Sequence, residues 1–99
     1  MISGKQRSYL KSLANKIDTL CYIGKDGITE NVIKEIDNLL DKKELVKVKI
    51  QETAELNPKD VCNELATKLN AEFVQAIGRK FTLYRQAKEE DNRKIILPR

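Results

Sequence analysis

The clearest chemistry in this chain sits in Gly24-Lys25-Asp26-Gly27 and the Thr29 that follows. Two glycines three positions apart, after the apolar run Leu20-Cys21-Tyr22-Ile23 and before a helical pattern, mark backbone that turns sharply or lets another molecule come close. Thr29 suits a helix N-cap, and Glu30 falls in the first turn, where the helix dipole favours a negative charge. A helix start presents amide donors with no intrahelical partner, and glycine admits a sugar-phosphate chain without a Cβ in the way. Lys25 adds a mobile positive charge at the loop tip and Asp26 a negative one. Turn geometry alone also accounts for such spacing, so the loop has two readings, a phosphate cradle or a plain strand-to-helix turn.

Three further basic groups could join it: Lys5, Arg7 and Lys11 on a first helix, Lys47 and Lys49 on a strand, and Arg79 with Lys80 at a hairpin tip. Each alone is an ordinary solvated charge. Their convergence around the glycine loop would make a face suited to RNA. The net charge is +4, and it is unevenly spread. Residues 1–25 carry five basic groups and one acidic, residues 26–45 three and six, and residues 71–99 seven and four. Basic ends around an acidic middle fit a polyanion partner.

Several function classes fall away on composition. With no histidine in the chain, a histidine base or a histidine-containing zinc site is excluded. Cys21 and Cys62 are isolated, without CxxC spacing, and are expected as reduced, partly buried small apolar residues. The chain lacks GxxxxGK[ST] and a third glycine of the dinucleotide type, and Asp26 and Glu30 have no nucleophile or oxyanion device beside them. An enzyme is not expected, nor a cofactor or metal. Only five aromatic residues occur and no run resembles an RNP signature, which argues against a stacking surface of the RRM type. Recognition is then expected to rest on phosphates and RNA shape, with strong salt dependence.

The elements that must position these residues read clearly. Ser3 and Gln6 form a capping box for a helix over 4–15, with Tyr9, Leu10, Leu13 and Ala14 on one side. Residues 20–23 read as a buried strand. A second helix runs from its Thr29 cap to about Lys43, with Val32, Ile33, Ile36, Leu39 and Leu40 as its stripe. Residues 44–50 alternate, Val46, Val48 and Ile50 against Leu45, Lys47 and Lys49, and form the plainest strand. Asn57-Pro58 starts a third helix that reaches Leu69. Residues 72–77 and 80–85 read as strands joined at Gly78-Arg79, close enough for a hairpin. The order is αβαβαββ, one domain over 1–99, with a charged C-terminal tail over 87–99. Its Ile95, Ile96 and Leu97 are expected to dock on the domain or add a strand, rather than wait for a partner. The longest apolar stretches fall far short of the roughly 20 residues a membrane span needs, and no apolar signal core starts the chain, so a cytoplasmic protein is expected. A single apolar stripe on each helix suggests a monomer.

Taken together, KQRSYLKSLA at 5–14, IGKDGITENVI at 23–33, ELVKVKI at 44–50, AIGRKFTLYR at 76–85 and KIILPR at 94–99 resemble the YhbY family of small bacterial proteins, each a single CRM (chloroplast RNA splicing and ribosome maturation) domain. The resemblance implies an α/β, two-layer α+β sandwich with a four-stranded mixed sheet, similar to the C-terminal domain of bacterial translation initiation factor three. It also implies a KH-like GxxG loop at Gly24, Lys25, Asp26 and Gly27. The implied partner is ribosomal RNA in precursors of the large subunit, bound during assembly without catalysis. The alternative is a protein-interaction module that joins ribosomal or other complexes through its tail or its acidic second helix, with little RNA affinity.

Overall fold

Ser3 accepts from the Gln6 amide at 3.1 Å while the Gln6 side chain accepts from the Ser3 amide at 3.0 Å, and this reciprocal cap starts helix α1, Gly4–Ala14. The structure, a computed structural model, describes residues 2–99. Strand β1 (Thr19–Ile23), helix α2 (Glu30–Lys43), strand β2 (Leu45–Ile50), helix α3 (Pro58–Leu69) and strands β3 (Glu72–Ile77) and β4 (Lys80–Tyr84) follow. A short 3-10 turn spans Glu90–Asn92. The order is the expected αβαβαββ. Among the described residues, no helix is long and apolar enough to cross a membrane.

The four strands form one mixed sheet in the order β1-β2-β4-β3. β1 and β2 are parallel, and parallel neighbours need a crossover, which α2 provides. β4 runs antiparallel to both β2 and β3. The β3–β4 hairpin turns on Gly78, whose φ of +61° at the first central position fits a type II′ turn.

One face of the sheet carries the main core. Cys21 and Ile23 of β1, Val46, Val48 and Ile50 of β2, and Phe81 and Leu83 of β4 bury against Ile36 and Leu40 of α2 and Val61, Cys62, Leu65 and Ala66 of α3. Each fully buried large apolar side chain there contributes on the order of 1.5–3 kcal/mol. Both cysteines are free, and both are fully buried rather than partly so.

The opposite face has a smaller cluster. Leu10 and Ala14 of α1 cover Leu45, Val74 and Tyr84, and Ile95 and Leu97 of the tail pack against the same group. A register shift between Phe73 and Gln75 marks a bulge at Val74. An extra residue there lets Val74 join the α1 cluster while Gln75 still pairs with Thr82.

The tail is held by Glu44, a fully buried carboxylate between α2 and β2. Its two oxygens accept from the amides of Lys94 (2.7 Å), Ile95 (3.0 Å) and Ala87 (2.9 Å). Docking is therefore by side-chain capture and apolar contact, with no added strand. Ile96 alone of the three tail apolar residues points away, 85% exposed. Arg85 fastens the other side: its guanidinium donates to Asp37 Oδ1 at 2.7 Å, Asp41 Oδ1 at 3.0 Å and the Leu69 carbonyl at 2.8 Å, joining α2, α3 and the end of β4.

Candidate nucleic-acid interface

Because α1 lies across β2 and β3 near the Leu45–Tyr84 end, the other half of that sheet face is left open. It is the half nearest the glycine loop. Paired positions run across the sheet there as Tyr22, Lys49, Lys80 and Ile77, one residue from each strand. Cys21 and Ile23 point into the core, so Tyr22 points outward with the rest of this row. Lys47 stands two residues from Lys49 on the same face, opposite Thr82.

The electrostatics of this row are unusual for a sheet. Lys49 and Lys80 are direct cross-strand partners, an arrangement of like charges that destabilises a sheet by a few tenths of a kcal/mol. Lys47 stands about 7 Å along β2 from Lys49, at two residues' rise. Among the described residues, Lys25, Lys47, Lys49 and Lys80 take part in no ion pair, whereas the acidic α2 spends Asp37 and Asp41 on Arg85 and Lys88. The field of three clustered ammonium groups is left for an external anion.

The loop that follows β1 at this end of the sheet is a tight turn. The Gly27 amide donates to the Gly24 carbonyl at 3.0 Å, which puts Lys25 and Asp26, both exposed, at the tip. Thr29 caps α2, accepting from the Val32 amide at 3.2 Å. The two glycines differ in kind. Gly27 has a φ of +75°, so the turn itself calls for glycine. Gly24 has no such φ, and a Cβ there would meet only the Gln51 side-chain oxygen, at 3.4 Å. Turn geometry explains Gly27 and leaves Gly24 unexplained by the fold.

The remaining candidates divide. Arg79, read from sequence as a phosphate contact, has its guanidinium donors engaged within the fold. Its guanidinium donates to the carbonyls of Ile50 (3.3 Å), Leu56 (3.3 Å), Gln51 (2.8 Å) and Ala54 (2.6 Å). Four carbonyls, one from the last residue of β2 and three from the loop that leads to α3, converge on it, so its donors serve the fold. Arg7 is partly committed as well, with Nε donating to the Phe73 carbonyl at 3.1 Å. Lys5 and Arg7 sit toward the start of α1, where Ile2 meets Glu72 and Gln6 meets Pro98, at the end of β3 away from the loop. Glu72 and Ile77 are five residue steps apart along β3, about 17 Å. Lys11 is nearer, lining a groove with Arg7, Lys59 and the outer edge of β3. The structure thus brings Lys47, Lys49 and Lys80 together on one face, keeps Lys25 in the exposed turn that follows β1, and leaves Lys5 and Arg7 toward the far end of β3.

Two features of the site escaped the sequence reading. Tyr22 was hidden inside an unbroken apolar run, yet the period of two in a strand separates it from Cys21 and Ile23. Ile77 was read as one more strand residue and is 64% exposed.

The fold is an α+β domain with helices on both faces of a four-stranded mixed sheet, and its glycine turn and lysine-bearing open patch suit a polyanion. The comparisons make the class particular. The model of the CRS1 / YhbY (CRM) domain matches residues 2–85, and this chain belongs to that family. It is 36% identical over 98 residues to the "Probable RNA-binding protein YqeI" of Bacillus subtilis, covering 99% of this chain and 100% of the relative. It is 37% identical to an "RNA-binding protein" of Haemophilus influenzae over 99% of this chain and 96% of that one. The solution structure of the hypothetical protein SAV1595 from Staphylococcus aureus superposes with a TM-score of 0.80 at 41% identity, covering 99% and 100% of the two chains.

Proposed function

We propose that this chain is a non-catalytic RNA-binding protein that holds ribosomal RNA and assists assembly of the large ribosomal subunit, acting as a monomer in the cytoplasm. The observation that carries the reading is the cluster of Lys47, Lys49 and Lys80 on an open sheet face, free of ion pairs among the described residues and next to the Gly24–Gly27 turn. The names of the relatives support RNA as the polyanion. Lys47, Lys49, Lys80 and Lys25 attract the phosphates, and Gly24 allows a strand close to the loop and to the first amides of α2. Asp26 and Glu30 add negative charge at the loop and oppose part of that attraction. The tail does not favour the rival reading, since Ile95 and Leu97 are spent on the α1 cluster.

The test is sedimentation of native cell lysate with the protein followed across the gradient, at low and high salt, with and without ribonuclease. The expected result is migration with particles lighter than mature large subunits, lost at high salt or after ribonuclease. A protein that stays at the top of the gradient in every condition refutes the assembly role.

A further inference from the structure

The open half of the sheet carries two large apolar side chains that the core does not use, and they lie at the two ends of the lysine row. Tyr22 on the β1 edge is 54% exposed and Ile77 on the β3 edge is 64% exposed, with Lys49 and Lys80 between them. Four strands about 4.8 Å apart make this row roughly 14 Å wide. Tyr84, the other tyrosine of this face, is buried beneath α1, so the solvation of Tyr22 belongs to this half alone. A cleft of about 140 Å³ opens beside Ile77, lined by Asn15, Lys47, Gln75, Lys80 and Thr82.

We propose that this face takes unpaired nucleotides, with one base stacked on the Tyr22 ring, the base two nucleotides on against Ile77, and the two intervening phosphates on Lys49 and Lys80. The inference rests on the RNA-binding reading and adds to it which RNA is held and how. In a duplex, the base faces are stacked on each other and cannot meet a protein ring, so an exposed aromatic on a flat cationic sheet has work only with unpaired bases. Lys49 is the direct cross-strand neighbour of Tyr22, close enough for its ammonium to reach the phosphate of a base on that ring. A second copy of this chain is the poorer occupant. It would bring Lys47, Lys49 and Lys80 of one molecule against the same lysines of the other.

The test uses the full chain, a fluorescently labelled short polyadenylate and a labelled RNA duplex of the same length. The wild-type protein should bind the single strand more tightly than the duplex and lose tyrosine fluorescence on doing so. Tyr22→Ala and Tyr22→Leu should weaken single-strand binding roughly tenfold, the scale of one base–aromatic stack, with an unchanged salt slope. Tyr22→Phe should restore it. Circular dichroism and thermal melts of all three variants separate lost stacking from lost folding. Tyr22→Ala binding the single strand as tightly as wild type, or wild type preferring the duplex, overturns the inference while RNA binding stands. Self-association that is abolished by Tyr22→Ala overturns it in favour of a dimer face. Failure of the wild type to bind either RNA overturns both this inference and the RNA-binding reading beneath it.

Discussion

Arg79 and Lys80 are neighbours at one hairpin tip, and the structure gives them opposite roles, so a pair of substitutions divides fold from function. Arg79 donates to four backbone carbonyls, that of Ile50 at the end of β2 and those of Gln51, Ala54 and Leu56 beyond it, at 2.6–3.3 Å. A hydrogen bond from a charged donor is worth about 1.5–3 kcal/mol when buried. The β2–α3 loop lies at the surface and water can replace part of what is lost, so the group as a whole is worth about 3 kcal/mol rather than the sum. For a domain of this size, about 4–8 °C of melting temperature accompanies each kcal/mol, so Arg79→Gln should melt roughly 10–25 °C below wild type. Its RNA salt slope, measured below that melting point, should be unchanged. Lys80→Gln should do the reverse. It removes the like-charge pair with Lys49, so stability holds or rises by a few tenths of a kcal/mol. Its binding slope should fall by about 0.7–0.9, one phosphate contact. Thermal melts by circular dichroism and RNA titrations across a salt series read both quantities. An Arg79→Gln protein with wild-type stability and a reduced slope would refute the assignment.

Further predictions follow from the loop, the tail and the thiols. Gly24→Ala should weaken RNA binding with little change in melting temperature. Gly27→Ala should cost about 1 kcal/mol in stability because of its φ of +75°; equal behaviour of the two in both assays would make the loop a turn only. Glu44→Ala leaves three amides without their acceptor and should lower stability by about 3 kcal/mol while exposing the amides of Lys94 and Ile95 to fast hydrogen exchange. Continued protection of those two amides would mean that the apolar contacts alone hold the tail. Burial pushes the Cys62 thiol up to about 12 and the Cys21 thiol, beside Glu35, up to about 11, from an ordinary 9.0. Both should therefore resist thiol reagents at mildly alkaline pH until the chain unfolds. Their contribution to stability is complete below about 9 and is lost as pH rises through the raised values, because the unfolded chain releases those protons first. Rapid labelling of the folded protein would contradict the burial.

Local signals were legible because each rests on a few adjacent residues. The capping box at Ser3 and Gln6, the Thr29 cap, Asn57-Pro58, the alternation of β2 and the Gly78 turn all formed where the spacing placed them. Asn70 closes α3 in the left-handed region. What was not legible depends on residues distant in sequence. Nothing near Arg79 announces that backbone carbonyls 23 to 29 residues earlier will converge on its guanidinium. Glu44 looked like the first residue of a strand, yet it ends α2 at a φ of 66° and captures amides as many as 51 residues away. At that backbone angle glycine is the usual residue, and the carboxylate is what makes glutamate worth its strain. The bulge at Val74 broke the period of two that would have sorted β3 into faces. The candidate site was half visible: the lysines and the glycine turn show in the sequence, while the open half of the sheet depends on where α1 and the tail come to rest.

The measurement closest to the central claim is the salt dependence of binding between the full chain and large-subunit ribosomal RNA, for wild type and for a variant with Lys47, Lys49 and Lys80 all changed to glutamine. Four lysines at the site, counting Lys25, predict a log–log slope near −3 for wild type, falling by about 2–3 units in the variant while its melting temperature holds. A wild-type slope near zero, or a variant that keeps the wild-type slope, would place the RNA elsewhere and contradict the account.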